Sequence, residues 1–337
     1  MNKITDMTIG FPHPPANGGP GSFQIRLEKS IRDKGWAVTY PDSGIVPDLI
    51  LVVGGTRKLI WLWRNRRNGV PIVHRLAGLN WIHRRRRGGV RLFCYAEIAN
   101  WITRIIRNWL ADEVIYQSHF VEELWRSKVG KTAAGEQVIY NAVDLSVFSP
   151  RSTPGAPLKI ICVEGVIDYS SYAVPLLNDL AKRLEGKKNY GGITLYGDFL
   201  DKRRAGTLAR GIEFRGKLPR DKMPEVYRDG VFLSLDVNAA CPNTVVEALA
   251  SGIPVIGFDT GALRELVPSG AGEIVPYGSD PWRLEFPDVD ALARAFEKIS
   301  HSWPNYSLMA RKTAEQRFEI DHMVEEYLKV FQKALKK

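Results

Sequence analysis

The segment 241–266, CPNTVVEALASGIPVIGFDTGALREL, constrains the fold more than any other part of the chain. It predicts a loop, a helix of about eight residues, a tight turn, a buried strand and a second Gly-led turn into a helix. Thr244 is placed to cap the first helix, with Glu247 three residues further on, and Gly252 ends it. A helix start that follows a strand presents N–H groups and the positive end of a dipole. The segment therefore predicts an anion site, for which a phosphate ester is the usual ligand.

The alternation of short apolar runs and helical patterns extends along the whole chain. Strand-like runs are found at 5–11, 48–53, 71–76, 113–118, 137–140, 158–163, 192–197, 211–216, 230–235, 253–258 and 272–276. Runs of this kind, bounded by Gly and Pro, predict an α/β fold class with two doubly wound parallel sheets, and the polar segment 151–157 is the predicted linker. Ligands of such sheets bind beyond the carboxyl ends of the strands, so we expect the site in a cleft between two domains.

Composition limits the class of protein. At 337 residues, with 45% hydrophobic and 25% charged residues, the chain is expected to fold into two domains. It has no long apolar run and no signal-peptide pattern at its start, which predicts a cytoplasmic protein. The three cysteines, Cys94, Cys162 and Cys241, are widely spaced and predict reduced thiols rather than a disulfide framework or a zinc site. Asp288 and Asp290 form a DxD, which we interpret as a helix cap, so no metal is assigned.

The positive charge is confined to the first half. Residues 1–155 contain 22 Lys+Arg and 12 Asp+Glu, whereas residues 156–337 contain 25 of each. Much of the excess comes from RKLIWLWRNRR (57–67) and HRRRRGGVR (83–91), in which aromatic and apolar residues lie among the cations. One interpretation is a solvated helix face. The other is binding to an anionic surface, such as inner-leaflet lipid, a phosphorylated acceptor or nucleic acid. Nucleic acid is disfavoured because no helix-turn-helix or RNA-binding signature is present.

Two features mark a candidate site in the first half. In the Gly/Pro-rich loop 11–30, Gly18 and Gly19 allow backbone to approach a ligand closely, and the absence of GxGxxG and P-loop patterns argues against a dinucleotide or nucleoside-triphosphatase site. His74 follows an apolar run and is expected at the strand end. It is the candidate catalytic residue, with a hydrogen-bonded histidine as the alternative.

The run CPNTVVEALASGIPVIGFDTGALRELV resembles the nucleotide-binding motif of retaining glycosyltransferases of family four, which have the GT-B fold. Matching stretches in the family's order are the NGGPGSF loop, 111–125, 138–150 and 195–235, so the resemblance covers almost the whole chain. It implies an acceptor domain at 1–153, a donor domain at 154–319, both Rossmann-like and facing a cleft, and a C-terminal helix at 320–337 that crosses back to the first domain. It also implies metal-independent transfer of a sugar from a nucleoside-diphosphate sugar, without a cofactor, in cell-envelope or surface glycan synthesis.

The resemblance also assigns roles to individual residues. It implies that Glu247 binds the ribose hydroxyls, although Thr244 and Glu247 can equally form a simple capping box. The implied diphosphate contacts are Asn243, Thr244, Val245 and Gly165, and the implied base contacts are Gly216 and Lys217. Gly18 and Gly19 would contact the phosphates or the acceptor, and His74 would lie beside the donor sugar. The basic patch on the acceptor side would consist of Arg84, Arg85, Arg86 and Arg87.

The chain departs from the family at two places. Ala239 stands where the family often has a second glutamate, and 163–173 lacks the usual Arg and Lys that neutralise the diphosphate. Candidate replacements are Arg204, Lys217, Arg220 and Arg264. Two alternatives therefore stay open: a catalytically silent sugar-nucleotide binding protein and a GT-B epimerase. The expected partners are a nucleotide sugar, a glycan, lipid-linked or other hydroxyl acceptor, and an anionic membrane contacted peripherally at its inner face by the basic first domain.

Overall fold

The structure is a computed structural model that describes residues 7–16, 18–85, 89–150, 157–170, 172–228 and 230–337. The chain divides into two compact units. Unit 1 comprises Met1–Asn141 and Ile320–Lys337, and unit 2 comprises Ala142–Glu319. The predicted linker, 151–157, lies outside the described residues except for Pro157, so the predicted boundary at 153 stays a prediction.

Unit 1 is built on a parallel sheet. Among its described residues the strands are Thr8–Gly10 (β1), Ala37–Thr39 (β2), Leu49–Val53 (β3), Ile72–Leu76 (β4), Glu113–Tyr116 (β5) and Gly135–Val138 (β6). Their order across the sheet is β2-β1-β3-β4-β5-β6. The helices between them are Gly19–Asp33 (α1), Leu59–Arg67 (α2), Gly89–Ile105 (α3), which continues as a π-helical turn over Ile106–Leu110, and His119–Val129 (α4).

Unit 2 repeats this architecture. Its described strands are Leu158–Val163 (β7), Tyr190–Tyr196 (β8), Ile212–Gly216 (β9), Val231–Leu233 (β10), Val255–Phe258 (β11) and Gly272–Val275 (β12), in the order β12-β11-β10-β7-β8-β9. Its helices are Ala173–Leu184 (α5), Asn243–Ala250 (α6), Leu263–Leu266 (α7), Val289–His301 (α8) and Trp303–Arg317 (α9). The last helix of the chain, Ile320–Ala334 (α10), returns to unit 1.

Burial explains why these segments form parallel sheets. All five residues of β3, LILVV, are buried, as are all four of β11, VIGF, so these strands are covered on both faces. The neighbouring strands are paired in parallel throughout both sheets. The predicted α/β class with two doubly wound parallel sheets is confirmed. Strand order reverses between β1 and β3 in one sheet and between β7 and β10 in the other, and such switch points are where these folds bind ligands.

Helix α10 is attached to unit 1 through a buried carboxylate. Glu113 of β5 is 1% exposed, and its oxygens lie 2.9 Å from the Lys333 ammonium and 2.7 Å from that of Lys337. The Tyr327 ring also packs 5.5 Å from the Phe23 ring of α1. Leaving Glu113 buried without these partners would cost several kcal/mol, so the ion pairs fix the position of α10. The predicted return of the C-terminal helix to the first domain is confirmed.

Candidate functional site at the carboxyl edge of the second sheet

The switch point of unit 2 is formed by the loops that follow β7 and β10. These two strands are parallel neighbours, with Val231 opposite Ile160, so both loops leave the same edge of the sheet. Gly165 follows β7 and is exposed, and a Cβ atom added to it would meet no atom within 4 Å. The loop after β10 leads directly into α6, so the predicted contacts at Gly165 and at the start of α6 share one sheet edge.

The start of α6 differs from the predicted cap. The helix begins at Asn243 with Pro242 as its N-cap residue, so Thr244 is the second helical residue and the prediction that it caps the helix was wrong. The reason is that Pro242, in an extended conformation, begins the helix earlier than expected and has no side chain that accepts a hydrogen bond. The N–H of Val245, a predicted diphosphate contact, donates to the Pro242 carbonyl at 3.2 Å. No side chain caps α6 at its N-cap position. The positive end of the helix dipole therefore faces the sheet edge without a capping side chain.

Glu247 is held by a side chain that sequence reasoning missed. The carboxylate is 5% exposed, and its Oε2 accepts a hydrogen bond from the Tyr227 hydroxyl at 2.9 Å. Tyr227 is fully buried, and its ring lies 5.8 Å from Phe232 and 6.1 Å from Phe148. The alternative of a capping box between Thr244 and Glu247 does not hold, since Thr244 is not the cap residue. Tyr227 precedes Glu247 by twenty residues, and no sequence pattern indicated the pair.

The loop that contains Ala239 is supported by the loop after β11. The Ala239 carbonyl accepts a hydrogen bond from the Ala262 N–H at 2.9 Å, and the N–H of Asn238 donates to the Thr260 hydroxyl at 3.3 Å. A Cβ atom on Gly261 would lie 2.4 Å from the Ala239 nitrogen, so the two loops approach at a distance that only glycine allows. Ala239 is thus fixed in position, and only a methyl group stands where the family often has a glutamate.

Two carboxylates flank the switch point, one of them in the stretch where cations were expected. Glu164 follows β7 and is half-buried, and Asp236 lies in the loop after β10. Desolvation and the charge of Asp236 raise the pKa of Glu164 well above its usual range, although the Leu235 N–H opposes the rise. The pKa of Asp236 is also raised by desolvation, even though part of its surface reaches solvent. Sequence reasoning noted the missing cations and did not single out this acidic pair.

The candidate replacement cations are not equally available. Arg264 of α7 donates to Asp259 at 2.6 Å and to the Ile274 carbonyl of β12 at 3.0 Å, so its guanidinium is already engaged. Lys217 is exposed and follows Gly216, the last residue of β9, whose φ is +72°. Strand β9 lies two strands from β7, which corresponds to about 10 Å across the sheet. Lys217 therefore shares the carboxyl edge with Gly165. Arg204 and Arg220 lie in short 3₁₀ turns, Lys202–Thr207 and Arg220–Glu225.

The predicted glycines of unit 1 lie at the corresponding edge of its sheet. Gly18 is the N-cap residue of α1, with φ +90°, Gly19 is the first helical residue, and both are exposed. A Cβ atom on Gly21 would lie 1.6 Å from the Ala16 carbonyl oxygen, so the loop folds back onto the first turn of α1. This loop follows β1, which borders the switch point of the first sheet.

His74 lies inside its strand rather than at the end. It is the third of five residues of β4, is fully buried, and its Nε2 lies 2.7 Å from the Gly54 carbonyl oxygen. Burial lowers the pKa of His74 to about 4. The expectation that it ends the strand was wrong, because the strand continues through Arg75 and Leu76. This placement favours the hydrogen-bonded histidine, and the catalytic role stays an untested prediction.

The arginine run is only partly described. Arg84 forms a bidentate ion pair with Glu97, at 2.6 and 2.9 Å, and Nε2 of His83 lies 2.8 Å from the same carboxylate. The hydrogen bonds from Arg84 and then from His83 lower the pKa of Glu97 to about 2. The charge of Arg84 is thus neutralised locally, while Arg85 is exposed. Arg86 and Arg87 lie outside the described residues.

The interpretation of the DxD as a helix cap is confirmed. Asp288 is the N-cap residue of α8 and accepts the Ala291 N–H at 3.1 Å. The part of the chain that the structure describes contains no cluster of three or more His, Cys, Asp or Glu side chains arranged to bind a metal ion. In the same part of the chain, no helix combines the length and the apolar composition that crossing a bilayer requires.

Comparison with known proteins gives a family match within the second unit. Residues 167–302 match the family described as glycosyl transferases group 1. A stretch of 135 residues, 39% of this chain, is 32% identical to the GDP-mannose-dependent alpha-mannosyltransferase of Mycobacterium tuberculosis (strain CDC 1551 / Oshkosh). The match covers 34% of that protein, so it spans about a third of the relative's length.

Solved structures match over nearly the whole chain. Sucrose-phosphate synthase from Thermosynechococcus elongatus has a TM-score of 0.74 at 15% identity, covering 97% of this chain and 98% of that one. Anabaena HepE in complex with UDP-glucose has a TM-score of 0.70 at 15% identity, covering 97% of this chain and 100% of that one. At this level of identity the likeness shows the fold, and the two parallel sheets are those of GT-B glycosyltransferases.

Proposed function

We propose that this chain, whose residues 167–302 match the glycosyl transferases group 1 family, is a retaining glycosyltransferase. It would move a sugar from a nucleoside diphosphate to an acceptor hydroxyl, with a glycan or a lipid-linked acceptor of cell-envelope or surface glycan synthesis. The observation that carries the proposal is the shared sheet edge in unit 2. Gly165, the start of α6 and the Gly216-Lys217 turn all lie at the carboxyl ends of parallel strands.

The donor would be bound mainly by backbone at this edge. The start of α6 and the exposed Gly165 would meet the diphosphate, because the helix dipole favours negative charge there. Glu247 would accept the ribose hydroxyls, and the Gly216-Lys217 turn would contact the base. Gly18 and Gly19 would approach the phosphates or the acceptor from α1.

The reaction needs stabilisation of the leaving diphosphate. As the bond between the anomeric carbon and the diphosphate oxygen breaks, negative charge grows on that oxygen, and fixed amides with the helix dipole would stabilise it. The acceptor oxygen would attack on the face from which the diphosphate departs, which retains the anomeric configuration, and the hydroxyl proton would pass to the departing diphosphate oxygen. We propose that no metal takes part, so donor binding and turnover should survive treatment with EDTA.

The donor can be identified by thermal shift. GDP and GDP-mannose come first, because the matched segment is similar to a GDP-mannose-dependent enzyme, and UDP with UDP-glucose comes second, because HepE was solved with that donor. A nucleotide at a hundredfold excess over its dissociation constant should add roughly 2.7 kcal/mol of stability. Proton NMR of the product then tests retention of the anomeric configuration. No stabilisation by any nucleoside diphosphate would contradict the proposal.

A second candidate function is favoured by the acidic pair. Glu164 stands in the stretch where the resemblance leads us to expect cations, Asp236 lies in the neighbouring loop, and Ala239 would remove a contact to the donor sugar. These departures favour a protein that binds a sugar nucleotide without transferring the sugar. It would be stabilised by the nucleotide while releasing no nucleoside diphosphate with any acceptor. A GT-B epimerase would instead convert the donor to its epimer, which NMR of the donor alone detects.

A further inference from the structure

We propose that α2 and α3 of unit 1 form a surface that docks onto an anionic lipid bilayer. This proposal goes beyond sugar transfer and does not depend on it. The first observation is an exposed apolar stripe on α3 and its π-helical extension. Its members are Val90, Cys94, Ile98, Trp101 and Trp109. The first four are spaced by three or four residues and the last follows after eight, so they lie on one side of the helix.

The exposure of this stripe is large for apolar side chains. Val90 is 80% exposed, Trp101 61% and Trp109 77%. From residue 90 to residue 109 the stripe extends for about 28 Å, at 1.5 Å per helical residue. Soluble proteins rarely leave large contiguous apolar areas in water, and such areas mark sites of interaction.

Helix α2 extends the same surface. The Arg57 guanidinium, just before α2, lies 5.5 Å over the Tyr95 ring of α3, so the two helices are neighbours. Ile60 and Trp63 of α2 are exposed, whereas Leu62 is fully buried in the core of unit 1. The outward apolar residues are therefore additional to a core that is already packed. Leu92, Phe93 and Tyr95 of α3 are exposed as well.

The charge around this surface is strongly one-sided. Residues 57–109 contain 13 Lys+Arg and a single acidic residue, Glu97, a net charge of +12 from 13 minus 1. Among the described residues, the exposed cations of this segment are Arg57, Lys58, Arg64, Arg67, Arg84, Arg85 and Arg91, whereas Arg75 and Arg107 are buried in unit 1. Glu97 is already engaged by Arg84 and His83. On α2, Arg67 lies 4.7 Å over the Trp63 ring, so cations and aromatic rings are interleaved.

This combination fits a bilayer better than other partners. A second copy of the chain docked by two-fold symmetry would bring two such cationic surfaces together, which is repulsive. Nucleic acid would use the arginines and leave the stripe of Val, Ile and Trp in water. At an anionic bilayer the aliphatic residues enter the acyl boundary, Trp and Tyr lie at the headgroups, and the arginines meet lipid phosphates. The helices would then lie in the plane of the interface.

The chain contains its own probe site for a test. Cys94 lies within the stripe and is exposed, whereas Cys162 and Cys241 are buried. The full-length protein is labelled at Cys94 with an environment-sensitive fluorophore and mixed with vesicles of phosphatidylcholine, or of phosphatidylcholine with 30% phosphatidylglycerol. We expect a blue shift with the anionic vesicles, little change with neutral ones, and reversal when the salt concentration is raised. A Cys94→Ser protein labelled at Leu308→Cys, an exposed position of α9, should show no shift.

Variants separate the two contributions to binding. Trp101→Ser with Trp109→Ser should weaken co-sedimentation with anionic vesicles by roughly tenfold per tryptophan, and Arg64→Gln with Arg67→Gln by roughly fivefold per arginine. Val46→Ser with Leu308→Ser removes exposed apolar residues elsewhere and should bind as the unchanged protein does. Circular dichroism verifies that each variant is folded.

Three results would overturn the proposal. The first is a Cys94 probe that stays in water with anionic vesicles. The second is a blue shift that depends on protein concentration without lipid and accompanies dimers in sedimentation, because the surface would then bind a second copy. The third is a shift produced by duplex DNA and not by vesicles.

Discussion

The hydrogen bond between Tyr227 and Glu247 allows structural and functional roles of the carboxylate to be separated by mutation. Glu247→Gln preserves the volume of the side chain and removes its negative charge. It also keeps an oxygen that can accept the hydrogen bond from the Tyr227 hydroxyl, which lies 2.9 Å from the carboxylate in the unchanged protein. Tyr227→Phe is the matched variant, because it keeps the ring between Phe232 and Phe148 and removes only the hydroxyl.

The expected magnitudes follow from hydrogen-bond energies. A hydrogen bond to a charged group contributes about 1.5–3 kcal/mol and a neutral one about 1 kcal/mol. Glu247→Gln should therefore lower the free energy of unfolding by about 1 kcal/mol, through the weaker bond to Tyr227. If the carboxylate also accepts two ribose hydroxyls, the same loss applies twice to the donor, and its dissociation constant should rise roughly 30-fold.

The assay compares donor binding with stability in the same variants. Isothermal titration with the nucleotide found by thermal shift gives the dissociation constant, and urea unfolding gives the free energy of unfolding. Tyr227→Phe should lose about 1–3 kcal/mol of stability and weaken donor binding less than Glu247→Gln does. If Glu247→Gln binds the nucleotide as tightly as the unchanged protein, while both variants lose similar stability, Glu247 supports the fold only and the ribose role is refuted.

Three further predictions concern other parts of the chain. The pKa of His74 is about 4 in the folded state and about 6.5 in the unfolded state, so the unfolded state binds more protons between these pH values. The free energy of unfolding should therefore fall by about 2 kcal/mol from pH 7 to pH 5. Urea unfolding of His74→Gln should lack this loss. Gly21→Ala should lower the melting temperature clearly, since its Cβ would overlap the Ala16 carbonyl oxygen, whereas Gly165→Ala should change it little and weaken nucleotide binding instead. Addition of EDTA should leave the dissociation constant of the nucleotide unchanged, and a large rise would show that a metal ion bridges the donor.

Much of the fold could be predicted from short-range patterns. The run LKIICV predicts a strand at 158–163, and β7 has these bounds because its apolar residues are bounded by Pro157 and Gly165. Strand β2 was missed, since three residues, Ala37–Thr39, after a turn give too short a pattern to recognise. The helix of about eight residues in 241–266 is confirmed as α6. Its start was predicted wrongly, because the N-cap residue is Pro242 and not Thr244.

The site was less accessible to such reasoning because its geometry depends on contacts distant in sequence. Glu164 and Asp236 are separated by 72 positions (236 minus 164), and only the adjacency of β7 and β10 brings their loops together. The run 71–76 predicts the strand that contains His74, but it could not show that the ring is fully buried and that its Nε2 lies 2.7 Å from the Gly54 carbonyl oxygen. In contrast, the predicted run 211–216 ends at Gly216, which is also the last residue of β9.

The return of α10 to unit 1 has a consequence for how the chain is made. Synthesis must proceed from Asn141 to Ile320, 179 residues later (320 minus 141), before the helix that supplies Lys333 and Lys337 exists. At typical translation rates this interval lasts on the order of ten to forty seconds. During it, Glu113 has no lysine partner, and unit 2 can fold while unit 1 waits. The first half of the polypeptide should therefore be the last to mature on the ribosome, and a chaperone that protects it would act there.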